Sequence, residues 1–182
     1  MNIAKLFPTH KVVEINLSTG LRTGHMLAQH VYNAPEGDEY VDNGCFFRVS
    51  KAAKDTVVLA DDANAVGPYY LHYTEELFTT GLVDAFKYFA VEVENGKCYP
   101  RCIALYAGDT ITTDNFDKNG ISDLSTVKFA IVGDDGVAKC LTAIPTTGGY
   151  NGPLFQAAKS TLPDGTEAME LVVIDPMYSV AA

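Results

Sequence analysis

The chain has 182 residues, of which 47% are hydrophobic and 10% aromatic. That is enough apolar material for one ordinary domain and too much for a disordered one. Thirteen Lys and Arg face 23 Asp and Glu, a formal net charge of −10. No basic cluster breaks this balance, which repels phosphate backbones and anionic headgroups, so neither nucleic acid nor a membrane is an expected partner.

The opening segment has Pro8 where a secretion signal needs an unbroken apolar run, and no stretch is long and apolar enough to span a bilayer. A cytosolic origin is the expectation. The first 24 residues, with Pro8, Gly20 and Gly24, read as an extended N-terminal arm, although Lys11 to Leu17 has strand character ended by Ser18-Thr19-Gly20. Residues 25–182 read as a single β-rich domain.

Asn43-Gly44 opens the strand-like run from Cys45 to Ser50, and Asp55 to Ala60 and Pro68 to Thr74 add two more short β runs. Leu77 to Phe89 has room for a short helix around Asp84 to Tyr88. The strongest local signal is Asn95-Gly96, since both residues tolerate the positive φ of a tight primed turn. Before it, Val91 and Val93 share one face and Glu92 and Glu94 the other. A second hairpin is expected where Thr126 to Val132 enters Gly133-Asp134-Asp135-Gly136 and Val137 to Ile144 returns. Gly152 to Lys159, with Pro153 near its first position, reads as a short helix. Pro163-Asp164-Gly165 then turns the chain into a strand from Glu167 to Asp175. At least eight short strands with this turn punctuation predict a mainly β fold, an antiparallel barrel or sandwich with one or two short helices.

Four cysteines are present, Cys45, Cys98, Cys102 and Cys140. Cys98 and Cys102 are the weak candidates for metal binding. Structural zinc wants a second ligand pair, and only His25 and His30 offer one, so two core-facing free thiols are the expectation. None of the four histidines stands in a nucleophile motif. His72 alternates with Tyr70 and Thr74 in an aromatic strand and is read as a packed or surface residue. Asp61-Asp62 and Asp134-Asp135 lack a calcium-loop pattern, and Gly148 to Gly152 lacks the ending of a phosphate loop. No cofactor, metal or catalytic set is expected. Ten Tyr and nine Phe accompany an absence of Trp. Tyr69, Tyr70 and Tyr73 form a cluster that suits either a protein interface or cross-strand packing.

The order of three motifs carries a resemblance. Asn43-Gly44 leads into a hydrophobic strand. Gly67-Pro68-Tyr69-Tyr70-Leu71-His72-Tyr73-Thr74-Glu75-Glu76 is an aromatic strand ending in acids. Ile103 to Thr113 contains the Gly108-Asp109 turn, followed by Gly120. This order resembles the small β-rich decoration, or cement, proteins of tailed-bacteriophage heads, over roughly Val12 to Asp135. Residues 136–182 fall outside it and read as an added hairpin plus short helix. The resemblance implies a virion protein on the outer capsid surface, made in the host cytoplasm, that bridges subunits of the major capsid protein. Such proteins often sit at local threefold points, sometimes as homotrimers. An acidic chain suits the outer face rather than the DNA side. Rival readings are another virion component of neck, tail or fibre base, a carbohydrate-binding β-sandwich, and a small enzyme using Cys98 or Cys102 with a histidine.

Overall fold

A computed structural model describes residues 11–16, 26–27, 29–60, 64–73 and 91–181. The first strands are β1 (Val13–Asn16), β2 (Met26–Leu27), β3 (Val31–Asn33), β4 (Tyr40–Val41), β5 (Phe46–Ser50), β6 (Thr56–Leu59), β7 (Ala65–His72) and β8 (Val91–Glu92). They are followed by β9 (Lys97–Cys98), β10 (Cys102–Ala104), β11 (Thr110–Thr113), β12 (Phe116–Asp117), β13 (Phe129–Val132), β14 (Ala138–Leu141), β15 (Asn151–Thr161) and β16 (Glu167–Ser179). The one helical element among the described residues is a 3-10 turn, Leu124–Thr126, capped by the Asp123 side chain.

The strands form two seven-stranded sheets and one small pair. Sheet I has the order β1-β11-β16-β15-β13-β14-β12, sheet II the order β2-β10-β7-β5-β6-β3-β9, and β4 pairs with β8. The molecule is mainly β, and neither large sheet closes on itself among the described residues, an arrangement of antiparallel-rich sheets consistent with a sandwich or a partly open, curled barrel. Pairing is antiparallel except where β12 meets β14 and β3 meets β6.

The main core lies between the sheets. Sheet II contributes Phe46, Tyr69, Leu71 and Ile103; sheet I contributes Val13, Ile111, Phe155, Met169, Leu171 and Val173. Phe46 meets Phe155 across the gap at 5.7 Å between ring centroids. Because side chains alternate along a strand, Phe47 points the other way. It enters a second core with Tyr32, Val41, Val57, Cys98 and Cys102 on the far face of sheet II. There Tyr32 packs edge-on against Phe47 at 5.0 Å. Sheet II is thus buried on both faces, each fully buried Phe contributing on the order of 1.5–3 kcal/mol by removal from water.

Local turn chemistry follows the sequence where its signal is strongest. Asn95 (φ 54°) and Gly96 (φ 73°) form the primed turn, and Glu94 and Lys97 exchange both backbone hydrogen bonds. The ladder stops there, because β8 leaves to pair with β4 and β9 with β3. The β13–β14 hairpin stands, entered after the 3-10 turn rather than at Thr126.

Two expectations are corrected. The segment Gly152 to Lys159 is not a helix but most of β15, paired with β13 on one side and β16 on the other. Residues 136–182 are not an appendage either, since β15 and β16 hold the centre of sheet I. Of the expected arm, Val13–Asn16 is a sheet strand paired with β11. Residues 1–10 and 17–24 of the expected arm, the helix expected within Leu77 to Phe89 and the Asp61-Asp62 pair lie outside the described residues.

Candidate functional site

The three motif segments meet. β7 lies between β5 and β10, with Phe46 opposite Leu71 and Leu71 opposite Ile103. Gly44 N–H donates to the His72 carbonyl at 3.0 Å, and His72 N–H returns a bond to the Cys45 carbonyl at 2.7 Å. A Cβ on Gly44 would come within 2.9 Å of both Asn115 Cβ and Thr113 Oγ1, and its φ of +87° already favours glycine. The close approach therefore depends on that glycine.

Around it sits a polar node. Thr113 Oγ1 donates to the Val12 carbonyl at 2.6 Å, and Val12 N–H donates to the Asp114 carboxylate at 2.8 Å. The Asn115 amide nitrogen donates to the Asn43 carbonyl at 2.8 Å. β1, β11 and the entry to β5 are tied together at this point. Thr113 closes the third motif, but Asp114 and Asn115 were not singled out from sequence. Short polar side chains immediately after a strand were the available signal.

The Gly108-Asp109 turn behaves as its composition implies. Gly108 has φ 90°, and the fully buried Asp109 carboxylate accepts from Tyr106 N–H at 2.8 Å. The turn docks on β16 by reciprocal bonds, Gly108 N–H to the Val173 carbonyl and Val173 N–H to the Asp109 carbonyl.

The tyrosine cluster divides. Tyr69 is a core residue whose hydroxyl donates to the Asn151 carbonyl at 2.7 Å, with the Arg48 guanidinium 4.8 Å from its ring centroid. Tyr70 is half-buried against the second core and Tyr73 half-buried against the main one. Tyr69 and Tyr70, but not Tyr73, reach a groove of about 220 Å³ whose walls include Pro68, Tyr106, Pro176 and Met177. Met177 is 50% exposed and Ile174, earlier on the same strand, 44%. Sequence reading missed both: Met177 lies beyond the strand expected to end at Asp175, and nothing in the sequence tells that Ile174, within it, faces solvent. A second cleft, of about 520 Å³, is lined by Tyr69, Asn119, Asp134, Lys139, Tyr150 and Asn151, among others. Its tyrosines are fixed in place. Tyr150 Oη accepts from Val132 N–H and donates to the Pro153 carbonyl, and burial pushes its phenol well above the usual range.

The nucleophilic side chains are held in their neutral forms. Burial pushes the Cys45 thiol up to about 12 and the Cys98 and Cys140 thiols to about 11, and raises Cys102 further still. All four are free thiols. Cys98 and Cys102 sit on different strands, β9 and β10, and share the second core. Among the described residues no group of His, Cys, Asp and Glu is arranged to hold a metal ion. His72 is fully buried, its Nδ1 2.9 Å from the Asp42 carbonyl, and burial lowers its pKa to about 4. A neutral imidazole between Phe47 and a backbone carbonyl is a packing group.

No helix of the described residues is long and apolar enough to cross a membrane. Against this geometry, no protein-family model, no curated protein and no solved structure matches the sequence.

Proposed function

We propose that this protein is a structural component of a tailed-bacteriophage head, binding the outer capsid surface and bridging subunits of the major capsid protein. The observation that carries the reading is the convergence of the three resembling segments. Asn43–Ser50, Gly67–Tyr73 and Ile103–Thr113 are hydrogen-bonded neighbours rather than scattered matches. The net charge of −10 suits a surface facing solvent rather than packaged DNA. Such a protein stabilises a lattice by linkage, since whatever binds only the assembled shell shifts the equilibrium towards it. Many weak contacts acting together suffice.

We place the contact at the exposed apolar end of β16, Ile174 and Met177, beside the tyrosine and proline groove. Two measurements test the proposal. In gradient-purified virions of the phage whose genome encodes this protein, its copy number is expected to be comparable to that of the major capsid protein. A handful of copies would move it to the neck, tail or fibre base, and absence would end the reading. In co-sedimentation with heads lacking the protein, Met177→Asp is expected to weaken binding roughly tenfold while leaving the thermal midpoint unchanged.

One observation favours a second reading, carbohydrate binding. The cleft of about 520 Å³ combines two rigid tyrosines with amide, carboxylate and ammonium groups, the mixture that hydroxyl-rich ligands use. A glycan array separates the two.

A further inference from the structure

The sequence contains four Asn-Gly pairs, at 43–44, 95–96, 119–120 and 151–152. Such a pair can convert itself. The amide nitrogen of the glycine gives up its proton to solvent and attacks the asparagine Cγ. A new N–C bond forms, the bond between Cγ and Nδ2 breaks, and ammonia leaves a succinimide ring. Water then opens the ring at either carbonyl, giving aspartate or isoaspartate. The balance is asparagine plus water to the acid plus ammonia, with no change of oxidation state. Three conditions must hold together: an asparagine amide free to swing, a glycine N–H free to lose its proton, and a backbone with room to rearrange.

Three pairs fail at least one condition. Asn43 is buried, Gly44 N–H is bonded to the His72 carbonyl, and the space beside Gly44 is filled by Asn115 and Thr113. Asn151-Gly152 lies in the β15–β16 ladder, with Tyr150 and Tyr69 packed directly against Gly152. Gly120 has open space, but the Asn119 amide nitrogen is held by the Cys140 carbonyl at 3.1 Å and Asn119 N–H by the Asp117 carboxylate at 2.8 Å.

Asn95-Gly96 meets all three. Both residues are exposed, nothing lies within 4 Å of where a Gly96 Cβ would be, and the Asn95 side chain and Gly96 N–H make no hydrogen bond among the described residues. We infer that Asn95 is the selective site of spontaneous deamidation and isoaspartate formation in the folded protein. The site is structurally costly. Isoaspartate inserts a methylene into a turn whose Gly96 carbonyl accepts from Ala34 N–H at 3.0 Å, and it adds a negative charge beside Glu92 and Glu94. The edge of sheet II, where β3 meets β9, is what the change loosens.

The test is to hold the full-length protein at mildly alkaline pH and physiological temperature, native and in denaturant. Peptide mapping follows the gain of one mass unit at each site, and an isoaspartate-specific methyltransferase assay identifies the product. In the native protein Asn95 is expected to convert about tenfold faster than Asn119, the factor set by the hydrogen bond Asn119 must first break, and faster again than Asn43 and Asn151. In denaturant the four rates are expected to converge. Conversion at any other site as fast as at Asn95 in the native protein overturns the inference, as does native protection of Asn95 to the level of Asn43.

Discussion

Asp109 is a carboxylate removed entirely from solvent, and it occupies that place because it closes its own turn by accepting from Tyr106 N–H. Buried polar groups survive when they are bonded, and removing one partner leaves the other unsatisfied at about 1–3 kcal/mol. Asp109→Ala is therefore expected to lower the urea midpoint by a corresponding amount with the slope unchanged, since the surface exposed on unfolding stays the same. The bond was legible in sequence because it spans three residues. The node at Thr113, Asp114 and Asn115 was not, because its partners Val12 and Asn43 lie 72 to 102 residues away. Tyr69 shows the same limit, since alternation named its strand but could not tell an interface side chain from one buried against sheet I.

At the scale of elements, β15 is the instructive case. Pro153 at a first-turn position and the Ala157-Ala158-Lys159 run favour a helix locally, with Gly148 to Gly152 as a linker before it, and a short apolar run cannot be assigned by periodicity. Pairing on both edges overrides that preference. Pro153 fits because it sits where the register with β16 shifts, a bulge that needs no N–H from it. Gly152 is required for a different reason. A Cβ there would stand 2.5 Å from Tyr150 Oη and 2.8 Å from the Tyr69 ring. Gly152→Ala is expected to cost about 1–3 kcal/mol by overpacking, read as a fall in thermal midpoint with an altered near-ultraviolet tyrosine signal. The turns at Asn95-Gly96, Gly133 to Gly136 and Pro163 to Gly165 were legible because two to four residues decide them. Which strand each turn delivers to which sheet is decided by contacts far along the sequence.

For the molecule as a whole, His72 couples acid to stability. Its folded pKa of about 4 lies below its ordinary 6.5, so between those values the unfolded state binds the extra proton and the folded one does not. Stability is unaffected by this group above pH 6.5, falls as pH drops through that window, and is reduced by about 3 kcal/mol once pH reaches 4. Chemical denaturation at several pH values is expected to show this slope, and His72→Asn to flatten it. Because His72 sits where β7 meets β10 and rests against Phe47, protonation strains sheet II from within. Both cores then lose their shared wall together, so acid unfolding is expected as one transition.

The strand order of sheet I also dictates when the molecule can form in a cell. β1 is made well before its partner β11, which begins at Thr110, and the strand that backs β11, β16, begins only at Glu167. A nascent polypeptide that stops short of β16 holds β1 and β11 without their central neighbour, and it leaves the main-core face of sheet II facing water. Pairings this distant are slow to close, and half-made sheets aggregate. Completion of sheet I therefore waits until β16 has been made, and until then the apolar face of sheet II is the surface most prone to aggregation.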